Sequence, residues 1–316
     1  MAPRYSIIVA TKNNKITIGP VLFSTLLLAR QFDTELIIVD GKSRDGTLDV
    51  IKTFLARYGN LYTAAEVLQD PGLSLSYARH LGVKKSKGDI VILLDGDIML
   101  TPSIIRLEEE LKDSDLLAPS IIILPLDKVT KIFNTFKYMV NFLSTSQPNI
   151  KFTDSSLLPE ARVFKRKVLE KLKGYPPLSR FFGEDRIATT LAVRLGFRYK
   201  YTLKIKLIKI DDPSYQAYWK KHFRYGKGIV HDIVPLGKSL LKKYIIMRKI
   251  TYINLVSPTF SFLFFIRTCL FTKSLKPSLD IFLLKYFIDL AMLLGEIHGF
   301  ISTSSFIRRT NANPNT

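Results

Sequence analysis

The feature that most constrains the fold is a run of five apolar residues, Ile90–Leu94, which ends in Asp95-Gly96-Asp97. An apolar run of this length without polar alternation is typical of a strand that is buried on both faces, as in a parallel sheet covered by helices on both sides. Open α/β sheets bind ligands at the carboxyl ends of their strands. The sequence therefore predicts that Asp95 and Asp97 lie at a ligand-binding edge of a sheet.

Two carboxylates one residue apart suit a divalent cation that is held against a phosphate. Their charges repel each other unless hydrogen bonds or a cation compensate them, and Mg²⁺ or Mn²⁺ commonly binds one or two carboxylates together with phosphate oxygens. Gly96 between them allows a ligand to approach the backbone closely. Asp-Gly-Asp after a strand is also compatible with a plain turn. The rest of the chain has to distinguish the two interpretations.

Strand-like and helix-like segments alternate ahead of this run. They are a strand at 5–10, a helix at 21–30, a strand at 35–40, a helix at 48–55 and a short helix at 78–83. Strands that alternate with helices indicate a parallel, Rossmann-like sheet. The predicted fold class is therefore α/β, with a mostly parallel sheet flanked by helices.

Charge and cysteine content narrow the class of partner and of site. The 316 residues carry a net charge of +20, which favours an anionic partner such as nucleic acid, lipid head groups or a phosphorylated substrate. Between Arg198 and Lys249 there are fourteen lysines and arginines against three aspartates. Cys269 is the single cysteine, so an intrachain disulfide framework and a cysteine zinc cluster are excluded. The first apolar run, Tyr5–Ala10, is too short for a secretory signal.

Five sequence blocks occur in a characteristic order. They are Ser6–Thr11, Ile37–Thr47, Ala78-Arg79 with Gly82, Leu93–Asp97, and Gly183-Glu184-Asp185 followed by Arg194–Phe197, with Gly174-Tyr175 ahead of the last. Together they resemble the family 2 glycosyltransferases, which have the GT-A fold. The resemblance implies a catalytic domain over 1–205, with a nucleotide-binding half at 1–100 and an acceptor half at 101–205.

The resemblance also implies roles for the donor-side residues. Asp40 matches the carboxylate that contacts the nucleotide base, and Arg79 matches a basic position near the diphosphate. Asp95 is expected near the ribose and the metal, while Asp97 is expected to coordinate the Mg²⁺ or Mn²⁺ bound to the donor diphosphate. Where the family commonly has Asp-Asp-Gly-Ser, this chain has Asp40-Gly41-Lys42-Ser43, so a second base or ribose contact is missing or is replaced by Lys42.

On the acceptor side, Asp185 matches the general base that deprotonates the acceptor hydroxyl, with Glu184 beside it. Apolar residues spaced from Ile187 predict that a helix begins near Asp185, so this carboxylate could instead serve only to stabilise a helix N-terminus. A positioned carboxylate assists a hydroxyl that is a poor nucleophile at neutral pH. The implied reaction is a single displacement at the anomeric carbon, with inversion.

Three histidines are candidates for binding phosphate or a metal, and each also fits a structural or surface role. His80 follows Arg79 and is expected to pack within its helix rather than touch phosphate. His222 and His231 are candidates for a third metal ligand, but we expect each of them to be an ordinary surface or interface histidine.

The C-terminal part has the composition of a membrane-associated region. We predict a basic amphipathic connector at 206–249, two hydrophobic helices within 250–301, and a polar tail at 302–316 that is disordered from Arg308. Tyr215, Tyr218, Trp219, His222 and Phe223 project to one side of the connector helix, as membrane anchors would.

The hydrophobic helices are not clean spans, because charged residues interrupt both of them. Two interpretations stay open: a hairpin through the bilayer, or two helices that lie on its cytoplasmic leaflet or on the catalytic domain. Either way we expect membrane association with a cytoplasmic catalytic domain.

The predicted function is metal-dependent, inverting transfer of a sugar from a nucleotide donor, UDP being expected ahead of GDP. The acceptor is expected at or near the membrane, and our hypothesis is that it is lipid-linked. A nucleotidyltransferase of similar fold and a non-catalytic nucleic-acid-binding protein are the alternatives. No recognisable nucleic-acid-binding module occurs in the sequence, so no nucleic-acid partner is expected.

Overall fold

The computed structural model describes residues 3–71, 73–124, 132, 160–176, 184–210, 216, 219–220, 222–227, 265–266, 268–270 and 273–312. The chain divides into two compact units. The first comprises Met1–Leu124 and Asn141–Asp211, and the second comprises Pro125–Val140 and Asp212–Thr316. The domain boundaries inferred from the sequence remain predictions.

The first unit contains a mixed sheet and six helices among its described residues. In chain order the elements are β1 Tyr5–Thr11, α1 Lys15–Ala29, β2 Thr34–Asp40, α2 Thr47–Tyr58, β3 Ala64–Gln69, α3 Leu75–Lys85, β4 Ile90–Asp95, β5 Ile98–Leu100, α4 Leu107–Leu111, β6 Leu116–Leu124, β7 Val163–Lys165, α5 Arg166–Lys171, α6 Glu184–Arg194 and β8 Tyr199–Ile210. Short 3₁₀ turns occupy Gly59–Leu61 and Pro102–Arg106.

The sheet has eight strands in the order β3-β2-β1-β4-β7-β6-β8-β5. The first four run parallel to one another. β7 is antiparallel to both β4 and β6, β6 and β8 are parallel, and β5 is antiparallel to β8. The prediction of an α/β sheet flanked by helices is confirmed, and the sheet is mixed, with four parallel and three antiparallel strand pairs.

Burial on both faces explains the unbroken apolar runs in the central strands. Along β1, Ile7 and Val9 pack into one apolar cluster, with residues of α1 and α2. Ile8 and Ala10 pack into a second cluster, with residues of α3 and α6. Gly82 of α3 has no side chain because a Cβ there would overlap the Cγ2 methyl of Ile8. Helices therefore cover the strand on both sides, as the sequence predicts.

The sheet curls back on itself near the Asp-Gly-Asp sequence. Only Gly96 and Asp97 separate β4 from β5, yet β7, β6 and β8 lie between those strands in the sheet. A flat sheet would hold two such strands about 19 Å apart, whereas a two-residue connection spans at most about 11 Å. The curl therefore brings the far edge of the sheet to the end of β4.

Several elements were not predicted from the sequence. β3 and β5–β8 were missed, and β5 and β7 have only three residues each, too few to show a pattern. α1 begins at Lys15 rather than at Val21 because Pro20 is accommodated inside the helix. The predicted helix near Asp185 is confirmed as α6, although its buried residues include Ala188 and Ala192 rather than the larger leucines.

In the second unit, helix α7 spans Leu275–Ala312. It starts ahead of Pro277, which the first turn of a helix tolerates. It also continues past residue 301, where the sequence predicted a polar tail, because neither glycine nor proline interrupts the chain until Pro314. Most of the first predicted hydrophobic helix lies outside the described residues. No helix within the described parts of the chain combines the length and the apolar character that crossing a bilayer requires.

Helical residues 222–227 pack very closely on α7. A Cβ on Gly226 would overlap the carbonyl of Met292, and a Cβ on Gly295 would overlap the carbonyl of Phe223. The two backbones are therefore in contact through a pair of glycines.

The aromatic residues beside this contact also pack on α7. The Trp219 ring lies 5.0 Å from the ring of Phe287, and the Phe223 ring lies 5.7 Å from that of His298. Trp219 and Phe223 thus each have one aromatic contact within this unit and are half-buried, and the prediction that they are membrane anchors stays a prediction. Tyr215 and Tyr218 lie outside the described residues.

Candidate active site

The predicted donor-side carboxylates meet at one edge of the sheet. Asp40 is in register with Thr11 of β1, and Asp95 is in register with Ala10 on the other side of the same strand. Strands are about 4.8 Å apart, so the two Cα atoms are separated by about 10 Å. Asp97 follows two residues after Asp95. The structure thus brings Asp40, Asp95 and Asp97 together at the carboxyl ends of β2, β1 and β4.

Asp95 is held between two buried arginines. Nη2 of Arg79 donates to Oδ1 at 2.6 Å, and Nη1 of Arg162 donates to Oδ2 at 3.0 Å. The two arginine side chains are 1% and 6% exposed, and that of Asp95 is 16% exposed. Each carboxylate oxygen therefore accepts a charge-assisted hydrogen bond, which is stronger than one between neutral groups.

The charges around Asp95 keep it ionised. Burial by itself raises the pKa of this carboxyl, but the positive charges of Arg162, Arg79 and Lys209 outweigh burial and hold the pKa well below its usual range. At neutral pH the cluster is a fixed carboxylate in a cationic setting. It can orient a neighbouring group without exchanging a proton.

Asp97 has a different partner. Nζ of Lys209 donates to its Oδ2 at 2.6 Å, and the two side chains are 22% and 20% exposed. Lys209 lies near the end of β8, opposite Ile98 of β5, so the curl of the sheet delivers it to the Asp-Gly-Asp turn. One carboxylate oxygen of Asp97 is thus already occupied by a cation.

The turn between the two aspartates is fastened to β1 and α1. The Gly96 amide donates to the Ala10 carbonyl at 2.9 Å, and the Thr17 hydroxyl donates to the Gly96 carbonyl at 2.7 Å. A Cβ at position 96 would overlap the Thr11 hydroxyl and crowd the Asn14 amide oxygen. Glycine is required here for close packing, so backbone hydrogen bonds fix the geometry of the turn.

The loops after β1 and β2 form one connected rim beside this turn. The backbone amide of Asn13 donates to the Ser43 hydroxyl at 2.8 Å, and the backbone amide of Asn14 donates to the Thr47 hydroxyl at 2.9 Å. Lys42 sits on this rim with an exposed side chain and a positive φ of 60°. Lys42 and Arg44 are the two cations that the loop after Asp40 exposes to solvent.

Asp40 is buried beneath the same rim. Its Oδ2 accepts from the Ser43 amide at 2.9 Å, and its other oxygen accepts from the Ser43 hydroxyl. The residue is fully buried. Its carboxylate therefore shapes the turn after β2, and its contact with a nucleotide base remains a prediction.

Tyr175 explains how Arg79 is oriented. Nη1 of Arg79 donates to the Tyr175 hydroxyl at 3.3 Å, and the guanidinium lies 5.8 Å from the centre of the same ring. His80 contacts the Tyr175 carbonyl through Nδ1 at 2.6 Å and stacks on Tyr77. The expectation that His80 is a packed helix residue is confirmed.

Glu184 and Asp185 are the first two residues of α6, and their side chains lie outside the described residues. The helix is anchored where the hydroxyl of Thr189 accepts from the Ala161 amide at 3.1 Å. Ala161 directly precedes Arg162. The backbone of Asp185 lies one helical turn before Thr189, about 6 Å along the axis. α6 therefore begins near the residues that hold Asp95.

Two residues of the cluster were missed by sequence reasoning. Arg162 precedes the three-residue strand β7, and no periodic pattern marks it. For Lys209, by contrast, the sequence contains a usable pattern. Ile205 and Leu207 are buried on β8, and Lys209 occupies the next inward position of the same two-residue period. A lysine in that position indicates a buried acidic partner.

Similarity to known proteins identifies the family of this chain. A family model described as "Glycosyl transferase family 2" matches residues 6–173, more than half of the chain and all of the donor-side carboxylates. The chain belongs to glycosyl transferase family 2. It is therefore a glycosyltransferase, and the nucleotidyltransferase and nucleic-acid-binding alternatives are set aside.

Among individual glycosyltransferases, one is similar over most of this chain and another over a short segment. The chain is 21% identical over 302 residues to "Probable glycosyltransferase YdaM" of Bacillus subtilis, which covers 93% of this chain and 69% of the relative. It is 39% identical over 64 residues to "Glycosyltransferase AglE" of Haloferax volcanii, which is 20% of each protein.

Two solved glycosyltransferase structures share the fold. Mannosyltransferase PcManGT from Pyrobaculum calidifontis, in complex with GDP-Man and Mn²⁺, has a TM-score of 0.59 and 16% identity, over 94% of this chain and 88% of the other. S. aureus TarS 1–349 in complex with UDP-GlcNAc has a TM-score of 0.51 and 14% identity, over 93% and 92%. At these identities the likeness shows the fold alone.

The carboxylate oxygens at this glycosyltransferase site are suitable ligands for a divalent metal ion. Asp97 presents hard carboxylate oxygens at the edge of the sheet, and its contact with Lys209 shows that the position accepts a positive charge. Within the described residues no group of three or more His, Cys, Asp and Glu side chains forms a metal cage. His222 belongs to the second unit, where its ring contacts Tyr225, and His231 lies outside the described residues.

Proposed function

We propose that this glycosyltransferase transfers a sugar, with inversion, from a nucleoside diphosphate sugar to an acceptor hydroxyl at or near a membrane. The observation that carries the proposal is the Asp95 carboxylate clamped by Arg79 and Arg162, with Asp97 two residues further on at the same sheet edge. Such a cluster suits a leaving group that is a diphosphate, because it supplies both metal-binding carboxylates and fixed cations.

Asp97 would hold Mg²⁺ or Mn²⁺, and Asp95 would assist it from its fixed position. When bound, the metal would offset the negative charge that develops on the departing diphosphate. Arg79 and Arg162 keep Asp95 ionised and oriented, and Lys42 on the rim is free to meet a donor phosphate or ribose from the solvent side. A similar structure, PcManGT, contains Mn²⁺, which supports a divalent ion.

The nucleotide base would bind beside Asp40, and Asp185 would act as the general base for the acceptor hydroxyl, with Glu184 next to it. The start of α6 near Ala161 supports this arrangement. UDP is our first expectation and GDP the second. Similar structures contain UDP-GlcNAc and GDP-Man, so both nucleotides suit the fold.

The membrane part of the proposal comes from the basic C-terminal region. Residues 212–316 contain fifteen lysines and arginines against five acidic residues, which favours attachment to an anionic bilayer surface. A catalytic domain on the cytoplasmic side would then meet a lipid-linked acceptor directly.

The donor is tested with a panel of UDP- and GDP-sugars in the presence of Mg²⁺ or Mn²⁺, with release of nucleoside diphosphate as the readout. We expect one nucleotide series to be turned over. Asp97→Asn should lower turnover by about 10² to 10³-fold and weaken donor binding. Asp113→Asn, an exposed aspartate, is the matched control and should change neither. Release of pyrophosphate or nucleoside monophosphate instead would contradict the proposal.

The acceptor-side role is tested with Asp185→Asn. A general base contributes about 10² to 10⁴-fold to the rate, so turnover should fall by that factor while donor binding, measured by calorimetry, stays unchanged. Glu184→Gln in parallel shows whether its neighbour contributes. If Asp185→Asn abolished donor binding and left turnover of the bound donor intact, the assigned roles would be wrong.

A further inference from the structure

Helix α7 exposes a continuous apolar stripe. Its large apolar side chains recur with spacings of four, three, four, four and three residues, and each is between 36% and 55% exposed: Leu279, Leu283, Tyr286, Leu290, Leu294 and Ile297. Leu275 and Ile301 extend the stripe at its two ends, with exposures of 70% and 65%. At 3.6 residues per turn all eight fall within an arc of about 100° and cover about 39 Å of helix.

The opposite side of α7 is apolar too. Ile281, Leu284, Ile288 and Ala291 are buried, and they project to the side of the helix away from the exposed stripe. Gly295 lies on the same buried side, in contact with the backbone of Phe223. The helix therefore packs through one apolar face within its own unit and presents a second one outward.

We propose that the exposed stripe of α7, from Leu275 to Ile301, lies against the surface of an anionic lipid bilayer. A helix of this kind lies in the plane of the interface, with its apolar side chains at the boundary between head groups and acyl chains. The inference rests on the proposed function, because it supplies the surface that holds the enzyme near a membrane acceptor.

Charge complementarity selects lipid as the occupant. Lys273 and Lys276 are exposed at the beginning of the stripe, and Arg308 and Arg309 occur in α7 beyond its end. Basic residues at both ends of an apolar stripe meet anionic head groups while the apolar side chains reach the acyl region. Beside the stripe, on the flank of the helix, Lys285 and Asp289 compensate each other in an ion pair.

A second copy of the chain is a poorer occupant. Each copy carries a net charge of +20, so pairing two of these units would bring like charges together, whereas an anionic bilayer attracts them. Self-association is therefore the competing outcome that the experiment must detect.

The test is co-sedimentation of the full-length protein with phosphatidylcholine vesicles, with and without phosphatidylglycerol. We expect binding to the anionic vesicles that weakens in high salt. The triple variant Leu283→Gln, Leu290→Gln, Leu294→Gln should lower the partition coefficient by at least about tenfold. The control variant replaces Ile105 and Leu203, which are exposed apolar residues of the first unit, with glutamine. It should bind like the unmodified protein.

Two further measurements decide between outcomes. Trp219, the single tryptophan, packs on Phe287, so an unchanged emission maximum shows that the triple variant keeps its fold. Light scattering reports the oligomeric state. If the triple variant bound anionic vesicles as well as the unmodified protein, or if it converted a dimer into a monomer, the lipid assignment would be overturned.

Failure of this inference is distinguishable from failure of the proposed function. Donor binding in vesicle-free solution depends on Asp97 and not on α7, so the triple variant should keep it. A protein that binds vesicles but no nucleotide sugar would leave the stripe assignment standing and refute the proposed function alone.

Discussion

Two clusters of charge lie at opposite edges of the same sheet, and they differ in how their cations are exposed. At the carboxyl edge, Asp95 is held by Arg79 and Arg162, whose side chains are almost fully buried. At the other edge, Asp115 precedes β6 and is held by Lys167 at 2.8 Å and by Arg198 at 3.3 Å, whose side chains are 57% and 58% exposed.

The difference separates the cluster of the candidate site from a structural ion pair. Exposed cations can leave a carboxylate for water at little cost, because surface ion pairs are worth little. Buried arginines have no such alternative and hold Asp95 in one position. An edge that must present a fixed charge to a ligand needs the second arrangement, and an edge that only joins elements can use the first.

The largest effect is expected at Asp95. Asp95→Asn leaves two buried guanidinium groups without a compensating charge, and we expect the free energy of unfolding to fall by about 3–5 kcal/mol. Urea denaturation followed by circular dichroism measures it. Asp89→Asn, at an aspartate whose side chain is 69% exposed, should change the value by less than about 0.5 kcal/mol. Equal effects at the two positions would remove the contrast between buried and exposed partners.

A smaller effect is expected at Lys209, which sharpens the contrast within the carboxyl edge itself. Its ammonium group lies 2.6 Å from the Asp97 oxygen that would bind a metal. Removing that charge with Lys209→Met should lower the dissociation constant for Mn²⁺ by about tenfold, measured by electron paramagnetic resonance of the free ion.

Lys206→Met is the matched control for Lys209, because Lys206 lies on the same strand with an exposed side chain. It should leave Mn²⁺ binding unchanged. Weaker Mn²⁺ binding in Lys209→Met would instead mean that the lysine supports the metal site and does not compete for it.

The smallest effect is expected at Asp115. Burial raises the pKa of this carboxyl, but Lys167 and Arg198 outweigh it and lower the pKa to about 2. A carboxyl with a lowered pKa stabilises the fold above its usual pKa near 4, and that stabilisation is lost as the pH falls towards 2.

Because the cations around Asp115 are exposed, we expect Asp115→Asn to cost only about 1 kcal/mol at pH 6. The difference between variant and unmodified protein should disappear near pH 2, as measured by urea denaturation at a series of pH values. A cost as large as that at Asp95 would show that cation exposure does not set the strength of these clusters.

The same contrast explains how much could be predicted from the sequence. The strands β1, β2 and β4 were predictable because a strand that is buried on both faces contains a long apolar run. The carboxylates at the ends of β2 and β4 were predictable because they end those runs. Arg162 was not, because the three-residue strand that follows it is too short to show a period and its partner Asp95 is 67 residues away. Pairing between antiparallel strands brought them together, and nothing local encodes it.

Lys209 occupies an intermediate position. The two-residue alternation of β8 indicates that the Lys209 side chain points inward. Its partner depends on the curl of the sheet, which can be recognised only once the strand order is known. On α7, the two apolar faces could be read from the spacing of leucines, whereas which face is buried required the contact with Phe223 and its neighbours.

The two-residue connection from β4 to β5 has a consequence for anyone who redesigns this scaffold. Because this turn has only two residues, inserting even one residue beside Gly96 would shift Asp97 relative to Lys209 and disturb the pairing of the strands between them. Circular permutation or a chimaeric junction should therefore avoid this point. The exposed turn at Lys112 and Asp113 is a better place for such a junction, because its side chains face solvent.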